Sequence, residues 1–296
     1  MKQKSFGFIQ AGFSSIFFGC IPFFTLPLYE AGYTSDLTLF YRFFVASVFM
    51  GIFLVLTKKS FAISFKSLCC IMLHGANYFF IALFLFLALR YADSGLVTTI
   101  FYTNPIFVLL LSVLFFHEKL EVYKLVLILI TSFGVGLLSG FFSEGLVISF
   151  SGLVLSLLAG IGYAVYIILL IKLPAHDVSR EVFSFYLFLF GALTALLYML
   201  LFGKFIFAAT MPEWINILGS ALVTGVISNM LLISALPKIG AVPTVIIGVL
   251  EPLTAVFIGI LHFGENMTFE KALGIIIVVC AIILLTVIPN LQKNSI

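Results

Sequence analysis

Apolar positions fill this chain in ten long runs, near 6–29, 36–57, 67–89, 93–116, 122–142, 149–171, 181–203, 213–236, 241–263 and 269–289, separated by short breaks of charge, Gly and Pro. A helix needs about 20 apolar residues to cross a bilayer, and each run is close to that length. Barrel strands would show segments of about ten residues with alternating polarity, and none occur. The pattern predicts an all-α integral membrane protein with ten transmembrane helices. The first run continues to Tyr29. It is longer than the apolar core of a cleaved signal peptide, so it reads as a retained first helix.

Lysine and arginine set the orientation. With the N-terminus in the cytoplasm, the inner side receives Lys2, Lys4, Lys58, Lys59, Lys66, Lys119, Lys124, Lys172, Arg180, Lys238 and Lys293. The outer side receives Arg90, Lys204 and Lys271, and Arg42 falls inside the second run. Both ends are therefore expected in the cytoplasm, in a cell (inner or plasma) membrane.

Two of the runs repeat each other. FYTNPIFVLLLSVLFFHE at 101–118 and GVLEPLTAVFIGILHFGE at 248–265 align without a gap. Pro105 matches Pro252 and Glu118 matches Glu265, with Ala88/Ala235, Leu89/Leu236, Ile100/Ile247, Leu114/Leu261 and Phe116/Phe263 in the same register. Phe40-Tyr41 against Phe185-Tyr186 gives a second echo. Helix 4 then corresponds to helix 9 and helix 2 to helix 7. Each half, 1–145 and 146–296, holds five helices. Five is odd, so the second half inserts upside down. Inverted repeats of this kind are found in many secondary transporters, with the substrate site near the midplane between the halves.

Composition agrees. Hydrophobic residues make up 63% of the chain and charged residues 9%, with a mean hydropathy of +1.28; a soluble domain carries about 25% charged residues. The net charge of +3 comes from scattered residues, so nucleic acid is not an expected partner. Cys20, Cys69, Cys70 and Cys280 lie inside apolar runs, where a thiol behaves as a small hydrophobe. Neither a metal site nor a cofactor is implied.

The sequence resembles the drug/metabolite transporter superfamily, of the EamA type, over nearly its whole length. The resemblance rests on the two repeats, on NPIFVLLLSVLFFHEKL at 104–120 and EPLTAVFIGILHFGENM at 251–267, on LFYRFFVASVF at 39–49 and on AGIGYAVY at 159–166. It implies a transporter that moves small metabolites across the membrane, often outward. One departure is in helix 1, where a Trp-Gly pair is common in such proteins and Phe18-Gly19 stands here.

Polar residues at membrane depth are the candidate chemistry. Glu251 is the carboxylate well inside a run, where a charge costs about 2.5–3.5 kcal/mol on insertion scales. It reads as a proton-coupling or substrate-amine site, or as a hydrogen-bond anchor for helix 9. Pro252 and Pro105 remove the usual partners of the Gly248 and Phe101 carbonyls, so both helices should kink, with Pro105, Pro252 and Gly248 as hinges. Arg42 suits a substrate carboxylate; it could equally reach Glu251, pair with Asp36, or snorkel to the outer headgroups. His74, Asn77 and Tyr78 share one face of helix 3. With Tyr41, Tyr102, Asn104, Tyr163, Tyr166 and Asn229 they are expected to bind substrate, or singly to bridge helices. Glu118 and Glu265 close helices 4 and 9 and read as structural caps for the helices that follow. Gly136 and Gly140 form a GxxxG face on helix 5, a candidate dimer contact.

The leading expectation is a secondary transporter, an exporter of a small organic metabolite such as an amino acid, working by alternating access with protons coupled through Glu251. No P-loop is present, so the driving force is a gradient. An integral-membrane enzyme acting on a lipid or isoprenoid would need clustered or paired Asp, or a Ser/His set; one Glu and no Asp lie within the runs away from their ends, which argues against it. A passive channel is the remaining alternative.

Overall fold

The computed structural model describes residues 2–88, 90–92, 94–116, 121–142, 149–173, 178–203, 205–264 and 266–294. Among them every regular element is helical. The helices fall in chain order onto the ten expected runs. Helix 1 is Lys2–Gly19 continued by Ile21–Glu30, helix 2 is Ser35–Leu56, helix 3 is Phe65–Ala88, and helix 4 is Ser94–Phe101 continued by Asn104–Phe116. Helix 5 is Val122–Leu138, helix 6 is Phe150–Lys172 and helix 7 is Arg180–Phe202. Helix 8 runs through Met211–Gly219, a π-helical segment Ser220–Ile227 and Ser228–Ile239. Helix 9 is Ala241–Ile247 continued by Leu250–His262, and helix 10 is Phe269–Asn294. Eight of these are long and apolar enough to cross a membrane, and Val122–Leu138 is a shorter apolar helix.

Local sequence explains the ends and breaks. Ser149 and Ser179 cap helices 6 and 7 by accepting from Gly152 N and Val182 N. Thr210 and Glu213 form a reciprocal capping box at the start of helix 8, the arrangement that satisfies two free N–H groups at once. Helix 1 was expected to be continuous and is not. It breaks at Cys20, whose N–H reaches only Phe17 O at 3.2 Å. Pro22 follows and has no N–H to continue the ladder.

Packing respects the repeat. Helix 2 lies along helix 7, helix 5 along helix 10, and helix 4 meets helix 9. Helix 3 packs on helices 6 and 7, and helix 8 packs on helices 1 and 2 in the same way. Adding five to each helix number, modulo ten, maps this set of pairs onto itself. Two aromatic-rich cores fill the interior, one around Tyr166, Ile167 and Val245, the other around Phe43, Phe79 and Phe188.

The GxxxG face of helix 5 does not carry its main contact. Gly140 has φ +72° and turns the chain at the helix end. The close crossing is instead at Gly134, where helix 10 approaches so nearly that a β-carbon on Gly274 would lie 2.8 Å from Gly134 O. A β-carbon on Gly136 would meet side chains alone and no backbone within 4 Å, nearest the edge of the Phe142 ring at 3.3 Å. Overpacking a tight site costs about 1–3 kcal/mol. Gly274→Ala is therefore expected to lower the melting temperature of the purified protein by several degrees, and Gly136→Ala to leave it near wild type. Equal melting points for the two variants would place the crossing elsewhere.

Candidate functional site

The site is built on the two broken helices. Pro105 deprives Phe101 O of its ladder partner, and Pro252 does the same to Gly248 O. A carbonyl left bare in a membrane interior costs several kcal/mol, and the two are satisfied differently. Asn104, directly before Pro105, folds its side chain back and donates from Nδ2 to Phe101 O at 2.9 Å. It is 2% exposed. Glu251, at the equivalent position before Pro252, has no side-chain donor when ionised. Its backbone N–H takes that place, donating to Gly248 O at 2.9 Å. The Gly248 carbonyl thus keeps a partner, and the Glu251 carboxyl group is left free for other contacts.

The breaks sit just before the prolines rather than at them. Helix 4 pauses at Tyr102 and Thr103, with Thr103 N on Ile100 O at 3.1 Å; helix 9 pauses at Gly248 and Val249, with Val249 N on Ile246 O at 3.3 Å. Each is a tightened turn of 3₁₀ type. The helix 4 break presents Tyr102, which is within hydrogen-bonding reach of the Glu251 carboxyl group. One residue exposed by the first break therefore faces the acid placed by the second.

Small residues allow neighbouring helices to close on these breaks. A β-carbon on Gly19 of helix 1 would fall 2.5 Å from the Glu251 carbonyl oxygen. On Gly160 of helix 6 it would fall 3.1 Å from Phe101 O. Helices 1 and 6 are equivalent in the repeat, so each broken helix is gripped at a glycine by its counterpart's neighbour. Gly19 belongs to the Phe18-Gly19 pair, which gives that pair a physical reason.

Around Glu251 stand Tyr78, Tyr102 and Tyr163, with Arg42 in electrostatic range. Tyr78 stacks on Tyr166, ring centroids 5.3 Å apart and 19° between planes. Tyr166 donates from its hydroxyl to Asn229 Oδ1 at 3.0 Å, and both residues are fully buried. Asn77 donates to Gly162 O at 3.1 Å, tying helix 3 to helix 6. Glu251, Asn77, Tyr78 and Tyr163 all retain some accessible surface.

Other expected site residues are occupied elsewhere. Asn104 is committed to its own helix. His74 is fully buried, with Nδ1 2.7 Å from Cys70 O and its ring against Phe183. Tyr41 lies against the segment 205–210. Its hydroxyl donates to Ile206 O at 2.8 Å and accepts from Ala208 N at 3.1 Å. Glu118 and Glu265 lie outside the described residues. Arg42 neither snorkels nor pairs with Asp36 or Glu251. Among the described residues the ion pairs within 4.0 Å are Lys59–Glu181 and Lys124–Glu121. The guanidinium is 5% exposed and donates from Nη2 to Thr224 O at 2.8 Å.

Thr224 lies in the π-helical segment of helix 8. A π turn loosens the regular ladder and is frequent at functional sites. Ser220, Thr224 and Ser228 recur every four residues, and Thr224 Oγ1 donates to Ser220 O at 2.6 Å. Ser14 of helix 1 donates to Ser228 O at 2.7 Å. No expectation from sequence pointed to this segment. The four-residue spacing of hydroxyls is the one signal it carries.

A model of the EamA-like transporter family matches residues 5–140 and again residues 150–287. The chain belongs to that family. This EamA-like protein is 26% identical over 286 residues to the uncharacterized transporter YxxF of Bacillus subtilis (strain 168), covering 94% of this chain and 88% of that one. It is 25% identical over 187 residues to an uncharacterized transporter of Archaeoglobus fulgidus, and the match spans 63% of this chain and 65% of the archaeal one. A crystal structure of a protein superposes with a TM-score of 0.77 at 17% identity, over 98% of this chain and 99% of the other; that likeness shows the fold alone. Membership makes the protein a multi-pass membrane transporter.

The two carbonyl solutions make a testable difference between equivalent positions. Removing the Asn104 amide leaves Phe101 O buried and unpaired, which costs about 1–3 kcal/mol. Asn104→Ala should therefore lower thermal stability in detergent by that amount. Glu251→Ala, which removes no backbone partner, should not. Equal losses would mean that the Glu251 side chain also anchors the fold.

Proposed function

We propose that this EamA-like protein is a secondary transporter that exports a small organic metabolite by alternating access, with Glu251 as the proton-coupling group. The observation that carries the reading is the divergence of two equivalent positions. Asn104 is spent on a backbone carbonyl, while Glu251 keeps its carboxyl group, partly exposed and in electrostatic range of Tyr78, Tyr102 and Tyr163. An ionisable group kept free at membrane depth marks a substrate or ion path by default.

The units that move are the halves 1–145 and 146–296. Packing of helix 2 on helix 8 and of helix 3 on helix 6 supports this division, because the hydrogen bonds Arg42–Thr224 and Asn77–Gly162 run from one half to the other. Rocking of one half against the other around a fixed site is how inverted repeats alternate access. Pro105, Pro252 and Gly248 are the hinges.

The chain sits in the cell membrane with both ends in the cytoplasm, a reading that rests on the distribution of Lys and Arg. A cysteine in place of Lys59 should then label only from the cytoplasmic side, and one in place of Ala209 only from outside. Labelling of both from the same side would end this orientation.

Transport is tested in liposomes with a labelled metabolite panel. Unlabelled substrate outside should drive counterflow of labelled substrate inside, and an imposed pH gradient should raise its rate. The charged and titratable groups facing Glu251 are Arg42, Tyr78, Tyr102 and Tyr163. Glu251→Gln should abolish the response to the gradient while counterflow persists. Unchanged pH dependence in Glu251→Gln would remove the carboxylate from coupling, and absence of counterflow in the wild type would remove alternating access.

A further inference from the structure

Helices 2 and 7 pack antiparallel. Asp36 lies against Gly203, Phe43 against Gly191 and Phe185 against Gly51, so the start of each helix meets the end of the other. The connections that leave them, 57–64 after helix 2 and 203–210 after helix 7, are each eight residues long and stand at opposite ends of the pair. Tyr186 of helix 7 donates from its hydroxyl to Phe61 O at 2.9 Å. Tyr41 of helix 2 donates to Ile206 O at 2.8 Å. Tyr41 and Tyr186 are 145 positions apart, and so are Phe61 and Ile206. The two bonds are one contact made twice, once at each end. Rings seat both connections in the same way, Phe61 edge-on to Phe185 at 5.2 Å and Phe205 edge-on to Phe40 at 5.8 Å between centroids.

Each bond also crosses from one half of the chain to the other. Tyr41, in the first half, holds a connection of the second; Tyr186, in the second, holds a connection of the first. A further crossing stands beside each. Lys59 pairs with Glu181 at 3.0 Å at one end, and Tyr33 donates to Glu213 Oε2 at 3.1 Å at the other. A motion that parts the halves at one end must break the phenol bond there, and it can leave the other bond intact. The break costs little. Ser60, Ala62, Ile206 and Phe207 are exposed, so water can take over the carbonyl when the phenol leaves.

We propose that Tyr41 and Tyr186 are latch residues for two straps, 203–210 and 57–64, and that release of either phenol admits water to the interior from that end alone. The inference rests on the reading of the two halves as the moving units. Loss of one hydrogen bond shifts an equilibrium about two- to tenfold, so each latch biases its own end without locking it.

The test uses the full chain in membrane vesicles of both orientations, with the native cysteines replaced by alanine. Asn77→Cys, midway along helix 3 at a position that retains some accessible surface, is the reporter. Its labelling by a membrane-impermeant maleimide is timed from each side. Tyr41→Phe should speed labelling from one side about two- to tenfold, and Tyr186→Phe should do so from the opposite side. Amide hydrogen exchange reads the straps directly. Tyr41→Phe should hasten exchange at 206–210 and leave 58–64 unchanged, and Tyr186→Phe should do the reverse. Straps that loosen with no change in labelling are surface braces, which overturns the proposal. So do variants that speed labelling from the same side, straps that loosen in neither variant, or a reporter that stays unlabelled in all of them. Counterflow separates this inference from the transporter reading. Side-selective labelling without counterflow of any metabolite keeps the latches and sinks the transporter; counterflow with unselective labelling does the opposite.

Discussion

In lipid every backbone N–H and C=O must find its partner inside the protein, and in this chain that rule meets two prolines. Pro105 and Pro252 each strip one carbonyl of its ladder bond at the same place in two equivalent helices. The remedy at Phe101 O consumes the Asn104 side chain. The remedy at Gly248 O uses only backbone. Everything distinctive about the centre follows from that difference. A position that was a cap in one half became free to hold a carboxyl group in the other, and the break in helix 4 turned Tyr102 toward it.

Close helix approach makes the arrangement rigid enough to matter. Helix 1 can lie against helix 9 at Glu251 because Gly19 has no side chain, and helix 6 can lie against helix 4 because Gly160 has none. These contacts fix the depth of both breaks. Arg42 is fixed from the other direction. Its partner is a carbonyl in the π-helical stretch of helix 8, itself braced by Ser14 and by its own hydroxyls. Acid and base are thus held by separate elements and do not collapse onto each other.

Much of the fold was legible in the pattern of apolar runs, because a span must be long and apolar to exist in a bilayer at all. The matched prolines revealed the correspondence of helices 4 and 9 for the same reason: a missing N–H is a property of the residue, not of its surroundings. Pro22 carried the helix 1 break equally plainly, yet apolar length alone hid it. The site was less legible. Arg42 found a backbone carbonyl, and a carbonyl has no residue identity to read. Asn104 looked like a lining group because its amide is polar; that the amide would turn back on its own helix depends on the geometry of the broken turn. The π-helical stretch SALVTGVI is apolar and unmarked except for hydroxyls four apart. Tyr41 adjoins Arg42 in sequence, but neighbouring positions on a helix face different ways, and its hydroxyl ended against Ile206 and Ala208.

Separated charges also bear on how a ligand moves such a machine. A ligand shifts a conformational equilibrium only by the difference in its affinity for the two states. If Arg42 and Glu251 were paired, they would neutralise each other in every state and give a ligand little to choose between. Unpaired, with Arg42 on helix 2 bonded to helix 8 and Glu251 on helix 9, they would change their mutual distance in the rocking motion proposed above. A ligand that touches both feels that change directly. The Thr224 carbonyl holds the Arg42 guanidinium, and no ion pair with Glu251 forms within 4.0 Å among the described residues; in the transport cycle proposed above, that separation is what would let a bound ligand favour one state.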